Sequence, residues 1–213
     1  MTRFAADVVT LARKDLRLEL RARDTLPAML LFVVATLVVF HFAIPNSSSR
    51  LAANGLLWVA ILFTALLGLG RAFVPEREHG VLDGLVLAPC DRSAIWLGKG
   101  LAALAFLALA EAVALPAFAL FFWGVGGATL AGVALADVGI CLVGSFVAAM
   151  SVASRARELL LPLLFLPLAV PIVIGGVGAS VASGPGRYLA FLGLYDVVFA
   201  ILCWASFEYV VTE

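Results

Sequence analysis

Cysteine and charge are both scarce in this chain, and each scarcity excludes something. The three cysteines, Cys90, Cys141 and Cys203, lie far apart and form no CxxC or CxxCH pair. That excludes a disulfide framework and the usual cysteine-based metal and haem-attachment signatures. Isolated cysteines in apolar stretches act as small packing residues. Histidine occurs only at His41 and His79, and neither is assigned as a haem ligand. No G-x-S-x-G nucleophile turn is present, which removes the sequence basis for a serine hydrolase. A phosphate loop is missing too: Gly98-Lys99-Gly100 lacks the earlier glycine and the following hydroxyl. The chain is therefore read as a non-enzyme with no intrinsic cofactor, and no nucleic-acid partner is expected.

What is present is apolar surface. Hydrophobic residues make up 64% of the 213 positions and charged residues 13%, with a mean hydropathy of +1.13. A soluble domain is roughly half apolar and about a quarter charged, so the solvent implied here is lipid. A bilayer core needs about 20 apolar residues per helix. Six stretches qualify: Leu26–Ile44, Leu51–Val74, Leu101–Trp123, Leu130–Val152, Leu159–Val181 and Leu189–Val211. Turn residues separate them, notably Pro45 to Ser49, Gly124 to Gly127 and Ser183 to Gly186. Backbone polar groups in lipid must be satisfied within each segment, which makes these helices.

Lysine and arginine are unevenly placed. Arg3, Arg13, Lys14, Arg17, Arg21 and Arg23 precede the first span; Arg71, Arg77, Arg92 and Lys99 flank the second loop; Arg155 and Arg157 flank the fourth. The other side carries only Arg50 and Arg187. The positive-inside rule then puts both termini of a multi-pass protein in the cytoplasm. The charged stretch before the first span is long and no small-x-small site follows it, so that span is expected to stay in the mature protein. Trp96, Trp123, Tyr188 and Tyr209 fall near expected interfaces, whereas Trp58 and Trp204 fall deeper.

Residues 1–24 form an amphipathic segment. Phe4, Ala5, Val8, Val9, Leu11, Ala12 and Leu16 share one half of a helical wheel, and Arg3, Asp7, Thr10, Arg13, Lys14, Arg17 and Arg21 the other. Asp15 and Glu19 break the pattern. The segment is either an interfacial helix on anionic headgroups or a soluble helix supplying topogenic charge.

Three carboxyl residues, Glu111, Asp137 and Asp196, lie within expected spans, where each costs on the order of 2.5–3.5 kcal/mol unless it faces protein or water. They read either as a polar lining or proton-sensitive gate, or as interhelical hydrogen-bonding groups. Pro162, Pro167 and Pro171, followed by Gly175, Gly176 and Gly178, make the fifth span the one to kink or unwind. They form either a hinge or ordinary packed membrane prolines. Gly144 and Ala148 offer small-x-x-x-small spacing for close helix contact.

The longest interior loop is organised. Val81, Leu82, Leu85 and Val86 share one helical face, Pro89 stops the helix, and Asp91 or Ser93 can cap the next one. The run Glu76-Arg77-Glu78-His79-Gly80-Val81-Leu82-Asp83-Gly84-Leu85-Val86-Leu87-Ala88-Pro89, followed by Gly98-Lys99, resembles the loop of ABC-2 type permeases. Gly55-Leu56-Leu57-Trp58-Val59-Ala60 and the proline-rich run Leu159 to Pro171 further resemble the haem exporter protein B family, the permease of bacterial cytochrome c maturation.

That resemblance implies an all-α membrane protein with the six-helix ABC-2 permease fold. It would form a single domain, 1–213, with the amphipathic helix at 1–24 and a coupling-helix loop at 75–98. It implies that Glu76, Glu78, Val81, Leu82, Asp83, Leu85 and Val86 dock on a separate ABC ATPase subunit, which carries the ATP. Val81 for Ser or Thr, Asp83 for Glu, and Cys90 depart from the family pattern. Expected partners are a haem-handling membrane protein, a haem chaperone and a second copy of the permease, with haem as cargo. Two alternatives are an ABC-2 exporter of another cargo and an ion-coupled carrier using Glu111, Asp137 and Asp196.

Overall fold

The structure is a computed structural model that describes residues 2–22, 24–43, 50–72, 91–122, 124–152 and 156–212. Those residues form seven helices: α1 (Thr2–Ala22), α2 (Thr25–Ala43), α3 (Arg50–Leu69), α4 (Arg92–Phe121), α5 (Gly127–Val152), α6 (Arg157–Val181) and α7 (Gly186–Thr212). Helices α2 to α7 are each long and apolar enough to cross a membrane, which bears out the all-helical, six-span reading. Helix α4 begins at Arg92, ahead of the apolar run that opens at Leu101. Asp91 is its cap: the Ser93 N–H donates to Asp91 Oδ1 at 2.9 Å. Pro27 falls in the first turn of α2, where its missing N–H would have had no helical partner.

Helix α5 is the centre of the bundle. Within its span 67% of residues are buried in protein, against at most 39% in any other. It packs on α3, α4, α6 and α7, and its sequence permits this because small residues let neighbouring backbones and side chains approach. Gly144, singled out for its spacing, receives the Leu69 side chain of α3; a Cβ there would stand 2.2 Å from Leu69 Cδ1. Elsewhere large apolar side chains face outward, among them Leu31, Phe42, Leu120 and Leu159. In lipid that exposure carries no penalty.

Two tryptophans are built into the core. Trp58 of α3 is 1% exposed, and its Nε1–H donates to Ser180 Oγ of α6 at 3.2 Å. Its ring lies over Gly176, where a Cβ would stand 2.4 Å from Cζ2 and Cη2. Trp96, expected near an interface, packs inside the protein near the start of α4. It is 1% exposed, donates to the Leu142 carbonyl of α5 at 3.0 Å and packs beside Phe207 of α7. A buried indole needs such a partner for its N–H, and the carbonyl supplies it. Trp204 is exposed on the outer face of α7, which is compatible with a deep, lipid-facing position.

Helix α6 is continuous through Pro162, Pro167 and Pro171. Its packed stripe is Leu161, Phe165, Ala169, Ile172, Gly176 and Ala179, at helical spacing, and the prolines lie off that stripe. One turn before Pro171, where a proline ring disturbs the carbonyl ladder, the Tyr195 hydroxyl of α7 donates to the Leu168 carbonyl at 2.7 Å.

Candidate functional site at the loop end of the bundle

The segment proposed from sequence as a docking element, with Glu76, Glu78, Val81, Leu82, Asp83, Leu85 and Val86, lies outside the described residues. Its two flanks are described, and one side chain ties them together. Lys99, two turns into α4 and just before its apolar run, is 4% exposed. Its Nζ donates to the Ala72 carbonyl at 2.7 Å and lies 3.1 Å from Asp15 Oδ2 of α1. Ala72 immediately precedes the segment and Asp91 immediately follows it, so Lys99 joins the end of α3, the start of α4 and the amphipathic helix at one point.

The backbone around Lys99 is shaped for this. At Gly98 a Cβ would stand 2.8 Å from Leu11 Cβ and 3.3 Å from the Val8 carbonyl. Only glycine lets α1 cross α4 this closely. Gly100, on the other side, faces Ser145 Oγ and the Cys141 carbonyl of α5. Gly-Lys-Gly therefore sets α1 on one flank of α4 and α5 on the other, with the ammonium between them.

The two residues that break the amphipathic pattern of α1 are the ones this site uses. Asp15 meets Lys99, and also Lys14 at 3.1 Å. Glu19 accepts the Thr25 hydroxyl at 2.5 Å, which fixes the turn into α2. The inner face of α1 is thus packed on protein, with Ala12 and Asp15 buried, while Val9, Leu18 and Leu20 remain exposed. A partly open cavity borders the site, lined by Asp15, Glu19, Thr25 and Lys99 on its polar side and by Leu18 and Phe106 on its apolar side. The nearby Arg71–Asp24 pair is 3.7 Å apart with both side chains more than half exposed, so it contributes little.

Deeper in the bundle the three intramembrane carboxyls are all buried within the protein. Glu111 of α4 and Asp137 of α5 are both buried, and each keeps one carboxyl oxygen without a hydrogen-bond partner. Asp196 of α7 faces Gly139, where a Cβ would stand 2.6 Å from Asp196 Oδ1. His41 closes the far end of α2 against Phe42, Phe121 and Phe122. Among the described residues no three His, Cys, Asp or Glu side chains converge to hold a metal ion.

Six membrane-length helices, one of them buried at the centre, with a charged node gripping both ends of one loop, define a multi-pass helical membrane protein. Comparison with known proteins then identifies the family. A sequence model of the CcmB protein family matches residues 6–208. The chain is 35% identical over 201 residues to heme exporter protein B of Paracoccus denitrificans, covering 91% of this chain and 92% of that one. It is 36% identical to heme exporter protein B of Rhodobacter capsulatus over 78% of each chain. With the Pseudomonas aeruginosa protein of the same name it shares 34% over 83% of this chain and 81% of the other. The chain belongs to the CcmB family, as the resemblance in its second and fifth spans implied.

Proposed function

We propose that this chain is the permease subunit of an ABC-type complex for haem handling in bacterial cytochrome c maturation. The observation that carries the reading is similarity over nearly the full length to proteins named heme exporter protein B. In this reading a separate ATPase subunit docks on the segment between α3 and α4 through the face of Val81, Leu82, Leu85 and Val86, with Glu76, Glu78 and Asp83 beside it. ATP hydrolysis on that partner drives haem delivery, or release of a haem-loaded chaperone, at the opposite side of the membrane.

The Lys99 node supports the mechanical part. A docking element transmits force only if its ends are fixed to elements that move together. Here Ala72 and the start of α4 are held by one buried ammonium. A push on the segment would then be felt by α1 through Asp15 and by α5 through the contact at Gly100. The lysine and arginine bias supports a cytoplasmic location for this end, and for both termini, in the inner membrane. A second copy is expected in the complex, because two ATPase subunits close symmetrically. The haem-handling membrane protein and the chaperone complete the set of partners.

Disrupting the gene in its host should abolish covalent haem staining of c-type cytochromes. The unaltered chain should restore the staining, and a Leu85→Asp chain made at equal level should not. Normal haem staining in the disrupted strain would overturn the assignment to cytochrome c maturation.

A further inference from the structure

Helix α1 turns its acids inward and its arginines outward. Among residues 4–21, whose side chains are described, Asp15 is buried and Asp7, Lys14 and Glu19 are half-buried. The exposed charged residues of that stretch are Arg13, Arg17 and Arg21 alone. A spacing of four puts them in one row. The row runs along the side of the helix opposite its packed face, which holds Val8, Ala12, Asp15 and Glu19. Asp15 and Glu19 are engaged by Lys99 and Thr25, and no carboxylate of the described residues pairs with the three arginines. Like charges at this spacing repel one another, so an anionic surface beside the row is stabilising.

The two flanks of the row differ. At about 100° per residue, Val9 and Leu20 border it on one side, 56% and 52% exposed. Asp7 and Lys14 border it on the other. Arginines between an apolar flank and a polar one match the boundary between acyl chains and headgroups, where the stems lie on apolar surface and the guanidinium groups reach phosphate. The height along the bundle agrees. Leu11 meets Gly98, Asp15 meets Lys99, and Leu18 and Glu19 border a cavity with Ala102, Ala103 and Phe106. The second half of α1 thus runs beside α4 where its apolar run opens at Leu101, itself 43% exposed.

We propose that the Arg13, Arg17 and Arg21 row is a binding surface for anionic phospholipid headgroups, with Val9 and Leu20 against the acyl chains beside them. Each guanidinium donates N–H bonds to phosphate oxygens, which it can engage two at a time. A docking protein would use the charge equally well, but the apolar flank and the level of α1 beside the start of the α4 apolar run favour lipid. The face of α1 turned away from the row carries Asp15 and hence Lys99. Headgroups on the row therefore bear on the helix that fixes the flanks of the segment between α3 and α4. The surface stands independently of the ATPase reading.

Electron paramagnetic resonance of the full chain in phosphatidylcholine vesicles tests this, with a trace of spin-labelled phosphatidylglycerol or spin-labelled phosphatidylcholine as the probe. The fraction of label immobilised at the protein surface should be larger for phosphatidylglycerol. That preference should shrink in about 1 M salt, where the screening length falls to about 3 Å. Each arginine near an anionic surface favours association about fivefold, so Arg13→Gln, Arg17→Gln and Arg21→Gln together should remove most of the preference. The same three positions changed to lysine should retain most of it. Arg71→Gln, at an exposed arginine already opposite Asp24, should leave it unchanged. Absence of any preference in the unaltered chain would overturn the proposal without recourse to a variant. An undiminished preference in the triple glutamine chain would overturn it too, and loss of a co-expressed ATPase from that same chain would give the face to a protein partner. An equal fall in Arg71→Gln would assign the effect to net charge and not to this row, which also contradicts the proposal.

Discussion

Replacing Asp15 with leucine should destabilise the protein by about 3–5 kcal/mol, and Lys99→Met should act in the same direction. The basis is burial: Lys99 is 4% exposed and the Asp15 side chain 9%. Removing Asp15 takes from the buried Lys99 a charge that offset its lost hydration, and removing Lys99 takes from Asp15 the more buried of its two lysine partners. The same physics predicts the combination. Replacing both together removes the desolvation cost with the attraction, so Asp15→Leu with Lys99→Met should recover most of the loss. Denaturant unfolding in mixed micelles, followed by the signal of buried Trp96, measures each variant. Single effects that simply add would mean that the two residues act independently, and the node at the base of α4 would not exist. The exposed Arg71–Asp24 pair serves as the contrast, since breaking it should change stability by less than about 1 kcal/mol.

A second large effect is expected where α3 meets α6. Gly176→Ala places a methyl group 2.4 Å from the Trp58 ring, which is below any tolerable contact. Trp58 is enclosed, being 1% exposed, so it cannot turn aside cheaply. Overpacking of this kind costs about 1–3 kcal/mol. Trp58→Ala should cost more, about 3–5 kcal/mol, because it leaves a cavity. The decisive variant is compensatory. Trp58→Phe shortens the ring at the atoms that meet Gly176, so in a Gly176→Ala background it should recover part of the stability, although alone it is destabilising. Thermal unfolding in detergent would detect this, and strict additivity of the two changes would contradict the packing described.

These sites mark the boundary of what sequence periodicity reveals. The spans were legible because runs of about 20 apolar residues have few alternatives to a membrane helix. The amphipathic helix was legible from its 100° pattern. Asp15 and Glu19 looked like defects in that pattern because their partners, Lys99 and Thr25, lie on other helices, and a helical wheel contains only one. Gly176 was grouped with a hinge because glycine beside proline suggests flexibility; the structure uses it as a slot for an indole. That Trp96 packs inside the protein was not legible either, because its partner, the Leu142 carbonyl, lies on another helix. The three intramembrane carboxyls were visible as costly residues, but their burial within protein depends on how α4, α5 and α7 pack. In each case the missing information was a contact between elements distant in the chain.

Most of the functional account converges on residues 73–90, whose flanks Lys99 holds. The most direct measurement is co-purification of the ATPase with the full-length chain from membranes in which both are expressed. The unaltered chain should retain the ATPase, and Leu85→Asp should lose it while reaching the membrane at the same level. A Leu85→Asp chain that still retains the ATPase would contradict docking through that face.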